Sequence, residues 1–167
     1  MGKRRTKYPK DYYESRCDEE IRIATIAYAE ELMRIRSKYD NEAETPVDHH
    51  LEDSQWAFCC RDGTMGKAVS QYNTPFTTPA ASRKPWSPKH VAADHIYGRS
   101  ELRQQLYSGE ISIEEYAQLS SETCLVTKRE HQKLGELRAK NSKRGIRPSP
   151  EDYKKLGLAM IDRRNGK

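Results

Sequence analysis

Residues Glu122–His131 read ETCLVTKREH, and this stretch decides the fold. Thr123–Val126 (TCLV) is a short run suited to a strand. Thr127-x-x-Glu130 follows at once as a capping box, in which the Thr hydroxyl and the Glu carboxylate each satisfy a backbone N–H at a helix start. The spacing predicts a helix from there to about Lys140, with Leu134 and Leu137 on one face and His131 in the first turn. Upstream, Lys89–Ile96 (KHVAADHI) reads as a second strand with a polar end at Asp94-His95. Two short helices fit between the strands: Ser100 can cap Glu101–Tyr107, and Ser112-x-x-Glu115 is a capping box opening Ile113–Leu119.

Further out, Asp18–Tyr39 is the clearest helix, with Ile21, Ala24, Tyr28, Leu32, Ile35 and Tyr39 recurring at helical steps. Acids in its first turn and Arg34, Arg36 and Lys38 near its last suit the helix dipole. It is expected to pack within the chain. Asp53–Gly63 holds a plausible short strand around Trp56, Phe58 and Cys60. Gln71–Lys89 carries four of the eight prolines and reads as an extended loop over the surface, outside the core. After a Gly/Pro-punctuated linker, Pro150–Asp162 is expected to form a last short helix using Tyr153, Leu156 and Met160. The division is therefore a basic arm (1–17), a long helix and acidic loop (18–53), a core (54–141) with the Pro-rich loop 71–89 and a helical insertion 100–120, and a basic linker with C-terminal helix (142–167).

At 35% hydrophobic and 33% charged residues, with mean hydropathy −1.02, the chain supports only a modest core. No signal peptide and no apolar run of membrane-spanning length is seen, so an intracellular protein without a membrane partner is expected. The net charge of +5 is unevenly placed. Lys3, Arg4, Arg5, Lys7 and Lys10 form one basic tract. Lys128, Arg129, Lys133, Arg138, Lys140, Lys143, Arg144 and Arg147 form another, while Asp40–Asp53 holds six acids and no Lys or Arg. Such stripes suit phosphate-backbone binding, although solvated surface charge explains them too. Tyr8, Tyr12 and Tyr13 among the N-terminal cations could stack on bases or pack on the long helix. Cys17, Cys59, Cys60 and Cys124 include no C-x-x-C pair, against a four-cysteine zinc site. A mixed site of Cys59 and Cys60 with His49 or His50 stays open; Asp48-His49-His50 otherwise reads as loop polarity.

The chemistry resides in the strand-helix order. A strand ending in Asp-His, followed by a second strand and a helix with His in its first turn, can grip one divalent cation between Asp94 and His131. Side chains alternate along a strand, so His95 faces away from Asp94 and could face a water molecule. A neutral imidazole suits a general base for attack on a phosphodiester. A two-residue site leaves coordination positions open for phosphate and water. Arg99 and Lys128 lie close enough in sequence to meet flanking phosphates. The plainer reading makes His95 a polar strand-end residue and His131 an ordinary first-turn residue.

Ala93-Asp94-His95-Ile96 and Glu122–His131 together resemble the HNH nucleases, including phage and homing enzymes, over about Lys89–Lys140. The expected fold class is α+β: the resemblance implies a ββα-metal core, to which the spacing and capping patterns add a long N-terminal helix and further short helices. It also implies an endonuclease that hydrolyses double-stranded DNA with one Mg2+ or Mn2+ rather than Zn2+, acting as monomer or homodimer. His95, Glu122 and Arg99 would be catalytic, and Asp94 and His131 would hold the metal. Arg4, Arg5, Lys7, Lys128, Arg129, Lys133, Arg138, Lys143 and Arg144 would contact DNA. Glu122 stands where the family commonly has Asn. A carboxylate could orient the base and would raise the pKa of His95 if close. The same departure also suits an alternative, a non-catalytic nucleic-acid-binding protein on a decayed framework.

Overall fold

The computed structural model describes residues 18–39, 74–85 and 89–163. Arg4, Arg5, Lys7, the three N-terminal tyrosines, the acidic loop, the strand expected near Trp56, and His49, His50, Cys17, Cys59 and Cys60 lie outside the described residues. The architecture is α+β. In chain order it runs α1 (Asp18–Tyr39), β1 (Phe76–Thr77), α2 (Pro79–Ser82), β2 (Val91–His95), α3 (Arg99–Ser108), α4 (Ile113–Ser121), β3 (Thr123–Thr127), α5 (Lys128–Ser142), α6 (Glu151–Lys155) and β4 (Ile161–Asp162). No helix among the described residues is long and apolar enough to cross a membrane.

The sheet order is β2-β3-β1-β4, with β3 antiparallel to β2 and parallel to β1. Cys124, Leu125 and Val126 of β3 are all buried, which suits an inner strand covered on both faces. Cys124 and Val126 pack with Ile96, with Leu134 from α5 and with Tyr153 from α6. Leu125 meets Val91 and Ala81 in a separate cluster. On the far side of the insertion, α1 supplies Ala29 and Leu32 to a cluster with Leu102 and Leu106 of α3 and Tyr116 of α4. The long helix thus packs within the chain. Among its described side chains Thr25, Ala29 and Leu32 are buried, whereas Tyr28 and Ile35 are only half-buried.

Three local expectations are corrected. The proline-rich segment is not outside the core: Phe76–Thr77 sits between β3 and β4, and Thr74, Thr77, Thr78 and Ala81 are buried. Its prolines punctuate rather than prevent structure, because Pro79 occupies the helix start that tolerates a missing N–H, directly after Thr78 as N-cap. Ser100 does not cap α3; Gly98 holds that position, without a side-chain bond. A Cβ on Gly98 would meet the end of the flexible Glu101 side chain, which would have to move aside. Finally, the C-terminal helix stops at Lys155 instead of running to Asp162. Gly157 at φ +68° ends it in a paired motif, with Leu158 N donating to Tyr153 O at 2.8 Å and Gly157 N to Lys154 O at 3.0 Å. The released chain then pairs Ile161–Asp162 with β1.

Both capping boxes form. Ser112 and Glu115 close α4, and Thr127 and Glu130 close α5. Glu130 Oε2 accepts from Thr127 N at 2.9 Å and also from the Thr78 hydroxyl at 2.6 Å, tying the start of α5 to the start of α2. Thr127→Ala is expected to lower stability by about 1 kcal/mol, at the centre of the usual range for a lost cap. The urea midpoint measures it, and an unchanged midpoint would show that the cap contributes nothing.

Candidate active site

Backbone register places the site. Asp94 lies opposite Cys124 and His95 opposite Thr123, so Asp94 ends β2 beside the strand that feeds α5. Glu122 caps the C-terminus of α4, and its carbonyl accepts from Ile96 N at 3.3 Å, closing the strand pair next to His95. On α5, residues 131, 134, 138 and 141 recur at steps of three and four, which puts them on one face. Leu134 and Asn141 of this stripe are buried, and Arg138 has a side chain only 16% exposed. His131, at the open end, keeps its side chain 49% exposed, and its Nε2 lies 3.8 Å from Asp94 Oδ1.

Asp94 is itself 4% exposed, and a carboxylate so placed needs partners. Arg138 supplies two, Nη1 to Oδ1 at 2.7 Å and Nη2 to Oδ2 at 3.0 Å, while the Tyr153 hydroxyl also donates to Oδ2. The remaining guanidinium nitrogen, Nε, donates to Asp152 Oδ2 at 3.2 Å. Asp152 is fixed in turn by Asn141 Nδ2 at 3.1 Å and Ser149 N at 3.1 Å. Burial, then the Asp94 charge, holds the Tyr153 hydroxyl far above its usual range, so it stays a donor.

His95 is held neutral. Burial first, then the fields of Arg99 and Arg138, push its pKa down to about 3. Glu122, which would raise this pKa if close, is not among its causes; burial and the two arginines lower it. A histidine whose folded pKa lies below its unfolded value of 6.5 contributes fully above that pH. As pH falls from 6.5 toward 3, the unfolded chain takes up the proton first and stability declines, by up to about 1.4 kcal/mol per pH unit. His95→Gln is expected to flatten this acid limb of the urea midpoint against pH. Parallel wild-type and variant profiles between pH 6 and 4 would refute the assignment.

The donor chemistry fits a divalent ion. Two N or O ligands about 2.0–2.2 Å from one ion lie roughly 3 to 4 Å apart, and Asp94 Oδ1 and His131 Nε2 meet that at 3.8 Å. Among the described residues, no group of three or more His, Cys, Asp or Glu side chains adds to the pair. Lys128, Arg129, Lys133, Lys140, Lys143 and Arg144 are exposed along and beyond α5. Arg138, expected on a DNA-contacting face, is instead an internal counter-ion. The 131/134/138/141 spacing is the signal that could have shown this; the contributions of Asp152 and Tyr153 carry no comparable local signal. Compared with protein-family models, curated proteins and solved structures, the chain matches none.

Proposed function

We propose that the protein is a metal-dependent endonuclease of the HNH kind, hydrolysing DNA phosphodiester bonds. One observation carries this reading: Asp94 at the end of β2 and His131 in the first turn of α5 bring a carboxylate and an imidazole within 3.8 Å. Mg2+ or Mn2+ held there would stabilise the charge that develops on the phosphate and the leaving oxygen. His95, kept unprotonated by burial and then by the arginine fields, would accept the proton of the attacking water. Arg99 engages a flanking phosphate, and Glu122 steadies the strand end that carries His95. Lys128, Arg129, Lys133, Lys143 and Arg144 supply the sequence-independent grip on the backbone. One such site among the described residues favours nicking over a double-strand cut.

A second reading has its own observation in favour. Both oxygens of Asp94 already accept from Arg138, as they would in a nucleic-acid-binding protein that has lost catalysis. A supercoiled plasmid separates the two. The nuclease reading expects nicked circles with Mg2+ or Mn2+ and none in EDTA. Retarded but uncut plasmid under every metal condition would instead establish binding alone.

A further inference from the structure

We infer that Arg138 and Tyr153 are positioning residues for the metal: they leave Asp94 a single donor position, on Oδ1, and make ion binding depend on the arriving phosphodiester. This inference rests on the metal-site reading above and deepens it. A carboxylate offers about four acceptor positions, two on each oxygen. Oδ2 is filled, by Arg138 Nη2 at 3.0 Å and by the Tyr153 hydroxyl. Oδ1 accepts once, from Arg138 Nη1 at 2.7 Å. The position left open belongs to the same oxygen that lies 3.8 Å from His131 Nε2. Rotation of the carboxylate would break three hydrogen bonds at once, so Oδ1 stays directed toward the histidine.

Charge gives the second half. Asp94 and Asp152 are both bound to Arg138, and the fields of Arg99, Arg163 and Glu130 also reach this corner. Three carboxylates (Asp94, Asp152, Glu130) against three guanidinium groups (Arg138, Arg99, Arg163) make a local sum near zero. A divalent ion therefore finds little net attraction in the protein alone. A nucleic acid brings a negative charge with every nucleotide, and its phosphate supplies both ligands and attraction. Arg138 thus couples ion loading to substrate, whereas removing an arginine that acted only as a structural counter-ion would leave the protein-alone ion affinity unchanged.

Mn2+ binding, followed by the loss of the free-ion signal in electron paramagnetic resonance, tests this with full-length protein. The probe is a mixed-sequence phosphorothioate duplex, with its own Mn2+ uptake subtracted. Wild-type protein is expected to bind Mn2+ about tenfold or more tightly with the duplex than without it, well within what a unit charge at this range can supply. Arg138→Gln is expected to tighten Mn2+ binding by the protein alone about tenfold and to reduce the duplex effect. Tyr153→Phe keeps the charge and should leave the protein-alone affinity weak. Equal wild-type affinity with and without duplex overturns the inference even if Arg138→Gln does not fold. So does a folded Arg138→Gln with unchanged affinity, or a Tyr153→Phe that tightens as much. In those cases, wild-type binding that is lost in His131→Ala leaves the nuclease reading standing. Mn2+ binding indifferent to His131→Ala under all conditions overturns both.

Discussion

Arg138→Ala is expected to destabilise the protein by about 3–5 kcal/mol, the range found when one partner of a buried ion pair is removed. The size follows from what is left behind. Asp94 and Asp152 are 4% and 1% exposed, and each would lose its ionic partner. Asp94 would keep only Tyr153, and Asp152 only Asn141 and the Ser149 amide. The arginine also joins three separate segments, since Asp94 belongs to β2, Asp152 to α6 and the guanidinium to α5. Urea denaturation at neutral pH reads the loss. A decrease below about 1 kcal/mol would place the network among exposed ion pairs, whose contribution is small.

The second large effect is on rate. His95→Ala is expected to reduce single-turnover plasmid nicking by about 10²–10⁴-fold, the usual contribution of a positioned general base. The protein should remain folded at neutral pH, because an imidazole already neutral there gives up no ion pair. Binding to uncut duplex should persist, since the exposed lysines and arginines of α5 are untouched. A loss of less than about threefold would remove His95 from the reaction.

Much of the fold was legible because local chemistry agreed with global packing. The boxes at Ser112 and Thr127 fix two helix starts almost to the residue, and their sequence patterns are short and self-contained. β2 and β3 were recoverable from β-forming runs placed before polar or capping residues. The two-residue strands were not. Phe76–Thr77 is too short for a periodic signal and lies between prolines, and its place in the sheet comes from β3 and β4, remote in sequence. Likewise Gly157 turns the chain out of α6 where the apolar spacing alone continues the helix.

The candidate site divides in the same way. Asp94, His95 and His131 stood out because their order along two strands and a helix already specifies a shared corner. Arg138 did not, because a run of basic residues reads as surface until one of them is seen to share a face with Leu134 and Asn141. The buried environment of His95 is a tertiary property too, set by packing and by Arg99 and Arg138 together.

The central claim is that Asp94 and His131 share one divalent ion. Crystals of the protein with an uncleaved phosphorothioate duplex, grown in MnCl2, test it through the manganese anomalous signal. One peak is expected about 2.0–2.2 Å from both Asp94 Oδ1 and His131 Nε2, with Arg138 still on Asp94. A fully formed complex with no peak between those two side chains, or with manganese bound only elsewhere, would contradict it.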